Sequence, residues 1–322
     1  MLIDGRALAE KIKDEIAKEV SENCLSNSFA ARPSLAIILV GEREDSQLYV
    51  SLKEREAKKV GIDTSLYKFI AETKEDEIIE AINFLNQDES VDAILVQLPL
   101  PAGINTDKVI KAVNPAKDID GFHPENLRTG LITQPVFGAV EKILESIQAR
   151  HNICQEPCCH DNDDGAPHPP SPLLIRREVP AGGVRCISTK KICIISNSKI
   201  FGDNLKIFLE NKKLGETIVC RADDKDLINK TKAADILITA AGKPKFIKKE
   251  MIKKDAVIID IGITKVENKF CGDVDFEDVK NKAGYITPVP GGVGPLTIAM
   301  ALRNTLDIFK KNKLHQYIAP LS

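Results

Sequence analysis

The sequence predicts an α/β protein built on parallel sheets and divided into two domains, and three observations support this. Short apolar, β-branched runs recur along its 322 residues, and helix-length amphipathic segments separate them. The runs also fall into two series, with an irregular segment between them. Because they are continuous rather than alternating, their strands must be covered on both faces, as βαβ units require. The length suits two domains of ordinary size.

The first twenty residues, MLIDGRALAEKIKDEIAKEV, set apolar positions at helical spacing among alternating charges. They lack the apolar stretch of a signal peptide and the character of a transit peptide, so the chain is expected to begin directly in its fold. SLAIILV (34–40) reads as a strand and leads into a helix over Ser46–Val60. DAILVQL (92–98) is a second strand followed by a helical stretch. KKICIIS (190–196) opens the second series, which continues through ETIVCR (216–221), ADILITAA (234–241) and AVIIDIG (256–262). LTIAMALRNTLDIF repeats its apolar residues at helical spacing, and Pro295 is suited to start that last helix.

Between the series, residues 151–186 are rich in Pro, Gly and Asp and follow neither period, so they read as an irregular insertion rather than a third domain. Cys154, Cys158, Cys159 and His160, with His151, His168 and Cys186 nearby, are zinc-ligand types. They lack paired C-x-x-C spacing, and adjacent Cys158 and Cys159 point apart, so no metal site is expected. Cys193 and Cys220 lie in strand-like runs and read as buried small hydrophobes.

Hydrophobic residues make up 43% and charged residues 29%, a composition ordinary for a soluble globular chain. A net charge of −2 gives no attraction to nucleic acid or to an anionic membrane. No apolar run approaches the roughly 18 residues that span a bilayer. The expectation is a cytoplasmic protein without nucleic-acid or membrane partners. Basic runs such as Lys249–Lys254 read as solvated faces.

Four stretches carry more chemistry than such a scaffold needs. In LYVSLKEREAKKVG (48–61), Tyr49 and Lys53 stand at i and i+4 and so share one helix face, whereas Lys58 and Lys59 read as solvated charge. In VQLPLP (96–101), Gln97 stands at a strand end, where open α/β sheets bind ligands. In KDIDGFHPEN (117–126), Asp120 precedes a glycine suited to a sharp turn. In ITPVPGGVGPLT (286–297), prolines stiffen the backbone while Gly291, Gly292 and Gly294 permit close approach of a flat ligand. Gln97 or Asp120 alone would more often be a turn or capping residue. The four together, in this order, are not explained that way.

With ADILITAAGKP, AVIIDIGI and CGDVDF, these stretches make the chain resemble the bifunctional methylenetetrahydrofolate dehydrogenase/methenyltetrahydrofolate cyclohydrolase (FolD) family. The resemblance covers nearly everything outside 151–186. It implies a folate-binding α/β domain and a Rossmann-type NAD(P)-binding domain, with the active-site cleft between them. The first would comprise 1–135 with 291–322, and the second 136–290, including the insertion.

The resemblance further implies oxidation of 5,10-methylenetetrahydrofolate with NAD(P)+ to the 5,10-methenyl cation, then hydrolysis to 10-formyltetrahydrofolate. That places the chain in one-carbon metabolism serving purine biosynthesis, with tetrahydrofolate derivatives as substrates and a homodimer as the expected assembly. Lys53 would be the catalytic group, most effective if burial lowers its pKa towards neutrality. Gln97 would hold Lys53 by a hydrogen bond, and Tyr49 would pack on the folate's aromatic part. Asp120 would accept hydrogen bonds from the pterin edge. Pro290, Gly291 and Gly292 would line the folate wall. Ser196, Asn197, Ser198, Gly202, Arg221 and Ile263 would bind the cofactor, NADP by family habit, with NAD as the alternative.

The cofactor loop departs from the family's Gly-Arg-Ser-x-x-Val-Gly. In SNSKIFG (196–202), Ser196 replaces the first glycine, Asn197 the arginine and Phe201 the valine, while Ser198 and Gly202 remain. Tolerance of left-handed backbone by Asn197 would preserve the turn. In CRADDKD (220–226), Arg221 suits a 2′-phosphate and Asp223 suits free ribose hydroxyls. TQPVFGAV (133–140) also differs from the family's Pro-Cys-Thr-Pro linker. A cyclohydrolase or folate-binding protein with an impaired cofactor site is therefore the alternative function. A third reading makes 151–186 a partner- or metal-binding module on a pseudo-enzyme.

Overall fold

The computed structural model describes residues 1–26, 32–150, 190–267 and 269–318. The insertion over 151–186, and with it the cysteines and histidines considered for zinc, lies outside the described residues. The first half runs α1 (Gly5–Ser26), β1 (Ser34–Val40), α2 (Glu44–Lys59), β2 (Asp63–Phe69), α3 (Glu75–Gln87), β3 (Ala93–Val96), α4 (Thr106–Ala112), α5 (Pro124–Thr129) and α6 (Pro135–Arg150). The second half runs β4 (Lys191–Ser196), α7 (Lys199–Asn211), β5 (Glu216–Cys220), α8 (Leu227–Ala233), β6 (Ile236–Ala240) and β7 (Val257–Asp260). A hairpin of β8 (Thr264–Val266) and β9 (Lys269–Cys271) follows, then α9 (Phe276–Val279), β10 (Tyr285–Ile286) and α10 (Val293–Ile318).

Two parallel sheets organise these elements, one in the order β2-β1-β3 and the other β10-β7-β6-β4-β5. Each central strand shows why its apolar run is continuous. On β1, Leu35, Ile37 and Leu39 face a core shared with α1, α2 and α10, while Ala36, Ile38 and Val40 face Ile78, Ile82 and Leu85 of α3 and Val109 of α4. On β4, Ile192 and Ile194 join the first core, while Cys193 and Ile195 join a separate core with Leu227 and Met251. Enclosing each Ile or Leu stabilises the fold by roughly 1.5–3 kcal/mol, so these two strands anchor their sheets. The first core holds residues from both sheets, with α6, α10 and α1 between them.

Boundaries differ from the sequence reading where backbone chemistry is permissive. α10 begins at Val293, so Pro295 lies within its first turn, where N–H groups have no intrahelical partner and a proline costs little. α2 begins at Glu44; Glu44 and Asp45 in its first turn complement the helix dipole. The edge strand β2 carries no continuous apolar run and is held by its register on β1, Ser34 opposite Asp63 through Val40 opposite Phe69. Cys193 and Cys220 are buried thiols with sulfurs 3.9 Å apart. Lys58 and Lys59 are exposed, and Lys59 pairs with the buried Glu56 at 2.9 Å. In the 249–254 run, Lys249 and Lys253 are exposed and pair with Asp278 and Asp235. Among the described residues, no helix is long and apolar enough to cross a membrane.

Candidate active site

The carboxyl end of the first sheet gathers three of the four chemistry-bearing side chains. Gln97 directly follows β3, and its backbone N–H still donates to Ile38 of β1 at 2.8 Å, so its position is set by the central strand. Its Nε2 donates to the Leu98 carbonyl at 2.7 Å, which turns Oε1 the other way. That oxygen accepts from Lys53 Nζ at 3.1 Å. Lys53 reaches it from α2, with Tyr49 one turn earlier on the same face. Both are partly buried. Among the described residues no hydrogen bond joins Tyr49 to Lys53 or Gln97.

Asp120 is delivered by a segment that extends the sheet. Ile94 of β3 bonds to Lys117 and Ile119 of this segment, at 2.7 and 3.3 Å. Asp118, buried in this segment, holds the turn that follows. Its carboxylate accepts from Gly121 N at 3.1 Å, His123 N at 2.8 Å and Asn126 Nδ2 at 3.1 Å. Gly121 has φ +65°, and a Cβ there would fall 2.8 Å from the Ile132 carbonyl oxygen, so both conformation and space call for glycine. Asp120 then lines a small pocket with Ile94, Val96 and Phe122.

The site's electrostatics follow from burial. Burial pushes the Lys53 amine below its ordinary pKa, and the charge of Asp120 opposes that shift. Burial likewise pushes the Asp120 carboxyl up; Lys53 opposes this and Asp118 adds to it. The environment therefore favours a lysine with a larger neutral fraction, next to a hydrogen-bond acceptor. Burial, reinforced by Asp45, raises the Tyr49 phenol, which stays neutral at ordinary pH.

The PVPGGVG loop packs under the start of α1. A Cβ on Gly5 would lie 1.8 Å from the Gly292 carbonyl oxygen, so helix and loop touch backbone to backbone. Gly291 has φ +111° and lies beside Arg6, Gly292 is buried, and Pro290 is exposed.

The second sheet has a crevice of its own. The connection from β4 runs to β5 on one side, and the chain returns to β6 on the other, which makes the carboxyl end of β4 a topological switch point. α7 starts there, with Ser198 as its N-cap accepting from Phe201 N at 3.3 Å. Gly202 lets the helix sit close: a Cβ would come 2.7 Å from Val219 Cγ1 of β5. The N-terminus of α7 at this switch point, packed tightly on the sheet, suits a dinucleotide's pyrophosphate.

The altered loop keeps its turn in a way the sequence reading did not foresee. Among the described residues Asn197 is not one of those with positive φ. The hydroxyl of buried Ser196 closes the turn instead, donating to the Ser198 carbonyl at 2.9 Å and accepting from Ser198 N at 3.2 Å. Asn197 spans the crevice, with Nδ2 donating to the Ala241 carbonyl at 2.7 Å. Arg221 and Asp223, which seemed opposed, are paired: Arg221 Nε lies 3.1 Å from Asp223 Oδ1 and Nη1 donates to the Asn197 carbonyl at 3.2 Å. Ile263 is exposed beyond β7.

Two family models match the chain: the catalytic domain of tetrahydrofolate dehydrogenase/cyclohydrolase over residues 3–120, and its NAD(P)-binding domain over 180–313. The chain belongs to the tetrahydrofolate dehydrogenase/cyclohydrolase family. The bifunctional protein FolD of Sulfurihydrogenibium sp. is 42% identical, over 97% of this chain and 98% of the relative. The crystal structure of the bifunctional FolD enzyme of Campylobacter jejuni superposes with a TM-score of 0.80 at 34% identity, covering 97% of this chain and 99% of the other. A second family structure, the Trypanosoma brucei FolD complexed with NADP and an inhibitor, gives 0.80 at 28% identity over 97% of each chain.

Sequence reasoning passed over one residue that shapes this family site, Asp118, and gave Asn197 a different part in its loop. Asp118 stands two positions before Asp120 in the quoted motif, and only the folded structure shows that its carboxylate clamps the following turn through Gly121, His123 and Asn126. Asn197 stands where the family has an arginine, and its side chain ties the turn after β4 to Ala241 after β6 and to Ala222 after β5.

Proposed function

We propose that this chain oxidises 5,10-methylenetetrahydrofolate with NAD(P)+ to the 5,10-methenyl cation and hydrolyses that cation to 10-formyltetrahydrofolate. The observation that carries the reading is the partly buried Lys53 amine, 3.1 Å from Gln97 Oε1, with its pKa depressed by burial. A neutral amine beside a cationic substrate carbon avoids like-charge repulsion and accepts the proton of the attacking water. The resulting ammonium can return that proton as the ring opens. Gln97, locked by Leu98, keeps the amine aimed. Asp120 accepts from the pterin's amino-pyrimidine edge, Tyr49 stacks on the folate ring system, and Pro290, Gly291 and Gly292 form its wall.

The nicotinamide cofactor, when bound, supplies the hydride acceptor. Ser196, Asn197, Ser198, Gly202, Arg221 and Ile263 would hold it along the crevice of the second sheet. The turn closed by Ser196 and the tight α7 approach support retained dehydrogenase activity over a cyclohydrolase-only protein. NADP is the favoured cofactor because Arg221 stands beside the position of the missing loop arginine, with NAD as the alternative.

The same proposal assigns folate binding to 1–135 with 291–322 and cofactor binding to 136–290; the packing of α10 against α1, β1 and β3 supports the first grouping. It includes a cytoplasmic location and a formyl product of the kind purine biosynthesis consumes. It also includes a homodimer, supported by Ile218 on the edge strand β5 and by Ile200 and Ile207 on α7, all exposed. Sedimentation is expected to give twice the chain mass, and a monomer at micromolar concentration would remove this part.

The test is to assay both half-reactions on one preparation, with NAD+ and NADP+ side by side. Lys53→Met should abolish methenyltetrahydrofolate hydrolysis while circular dichroism stays that of the wild type. Full residual hydrolysis in that variant would refute the role of Lys53.

A further inference from the structure

Two buried carboxylates at the carboxyl end of the second sheet take no part in the chemistry above. Asp260 is 2% exposed and Asp273 is fully enclosed. Neither forms a salt bridge among the described residues, so each must be held by hydrogen-bond donors. Asp273 collects its donors from a single five-residue stretch. Its Oδ2 accepts from Thr239 Oγ1 at 2.9 Å, Ala241 N at 2.6 Å and Gly242 N at 3.3 Å, and its Oδ1 accepts from Lys243 N at 2.8 Å. That stretch is the end of β6 and the loop leaving it.

Asp260, the last residue of β7, holds the segment that carries Asp273. It accepts from Asp273 N at 3.1 Å, Val274 N at 2.9 Å and Gly262 N at 3.0 Å. Neighbouring glycines leave room for both carboxylates. A Cβ on Gly262 would fall 2.3 Å from Asp273 Cγ, and one on Gly272 would fall 2.0 Å from Asp260 Oδ2. The brace continues outward, because the Ala241 carbonyl fixed in this way is the acceptor for Asn197 Nδ2. Asp260, Asp273, the β6 loop and Asn197 thus form one connected series across the crevice.

We propose that Asp273, held by Asp260, is a positioning residue for nicotinamide-cofactor binding: it sets the backbone course of 239–243 and, through Ala241, the Asn197 side of the crevice. The inference rests on the assignment of that crevice to the cofactor. It predicts a split between the two half-reactions, because Lys53 on α2 and Gln97 just after β3 belong to the other sheet's end and hydrolysis consumes no cofactor.

The experiment compares wild type, Asp273→Asn and Thr239→Val. Asparagine keeps the shape but sets an amide N–H against donors that need an acceptor, and valine removes one donor without changing charge. Asp273→Asn is expected to raise KM for NADP+ roughly tenfold or more, equivalent to about 1.4 kcal/mol of binding. Its kcat at saturating NADP+ and its cyclohydrolase kcat/KM should stay within about twofold of wild type on the same scale. Calorimetric titration with NADP+ should show the same weakening. If Asp273→Asn does not fold, Thr239→Val decides, with a smaller rise in KM for NADP+ expected and hydrolysis unchanged. An unchanged KM in folded variants, or equal losses in both half-reactions, overturns the proposal. If wild type hydrolyses methenyltetrahydrofolate but neither binds nor reduces NADP+, the crevice assignment fails instead.

Discussion

Replacing Asp118 by alanine tests whether a buried carboxylate that clamps a turn fixes the geometry of the site at the first sheet. The side chain is 6% exposed and accepts three hydrogen bonds, from Gly121 N, His123 N and Asn126 Nδ2. Bonds to a charged acceptor contribute roughly 1.5–3 kcal/mol each. Removing the carboxylate also removes its own desolvation cost, and Asn126 Nδ2 keeps its bond to the Pro115 carbonyl at 2.8 Å. The net loss is therefore roughly 3–5 kcal/mol, a large part of the 5–15 kcal/mol typical of a domain. With a urea slope of about 2 kcal/mol/M, the midpoint of the transition should fall by about 2 M. Asp118→Asn retains the acceptor for Gly121 N and should fall between wild type and alanine. Both half-reactions should weaken, because Asp120 emerges from the same turn. A midpoint shift worth less than about 1 kcal/mol would refute the clamp, since its donors would then be satisfied as well without it.

Asp260 predicts a pH dependence of stability. Burial pushes its carboxyl up to about 7, opposed by backbone N–H bonds led by that of Val274 and reinforced by Asp273. Its folded pKa is raised, so the stability it contributes is full below about pH 4 and is lost as pH rises through about 7. Three units at about 1.4 kcal/mol each make the loss roughly 4 kcal/mol. Urea midpoints of wild type and Asp260→Asn at pH 4.5, 6 and 7.5 should converge or cross as pH rises, and parallel lines would rule this out. Arg221→Ala should raise KM for NADP+ about tenfold and leave KM for NAD+ within about threefold. Equal effects on both cofactors in steady-state assays would remove Arg221 from 2′-phosphate recognition.

Much of the scaffold was legible in the sequence because each central strand announces itself by a run that only burial on two faces explains. SLAIILV coincides with β1, and the runs opening at 190, 216, 234 and 256 contain β4 to β7. The edge strand β2 and the β8–β9 hairpin were not read. DTSLYKF is solvated along one face, and TKV and KFC are three residues each, too short for a period to emerge.

The amino-acid sequence by itself determined the two series of strands, the family, and the identities of Tyr49, Lys53, Gln97 and Asp120. The strands follow from local composition and spacing, and the family and these candidates follow from the resemblance of the motifs, which the chain carries wherever it folds. Tertiary structure alone decided which groups meet. Lys53 and Gln97, 44 positions apart in the chain, close to 3.1 Å only because β1 and β3 are neighbours in one sheet. Side-chain hydrogen bonds put Asp118 on the turn, while Asp120, two positions on, comes close enough to Lys53 for their charges to interact. Burial then lowered the Lys53 pKa, and burial is a property of the assembled core that no stretch of sequence shows.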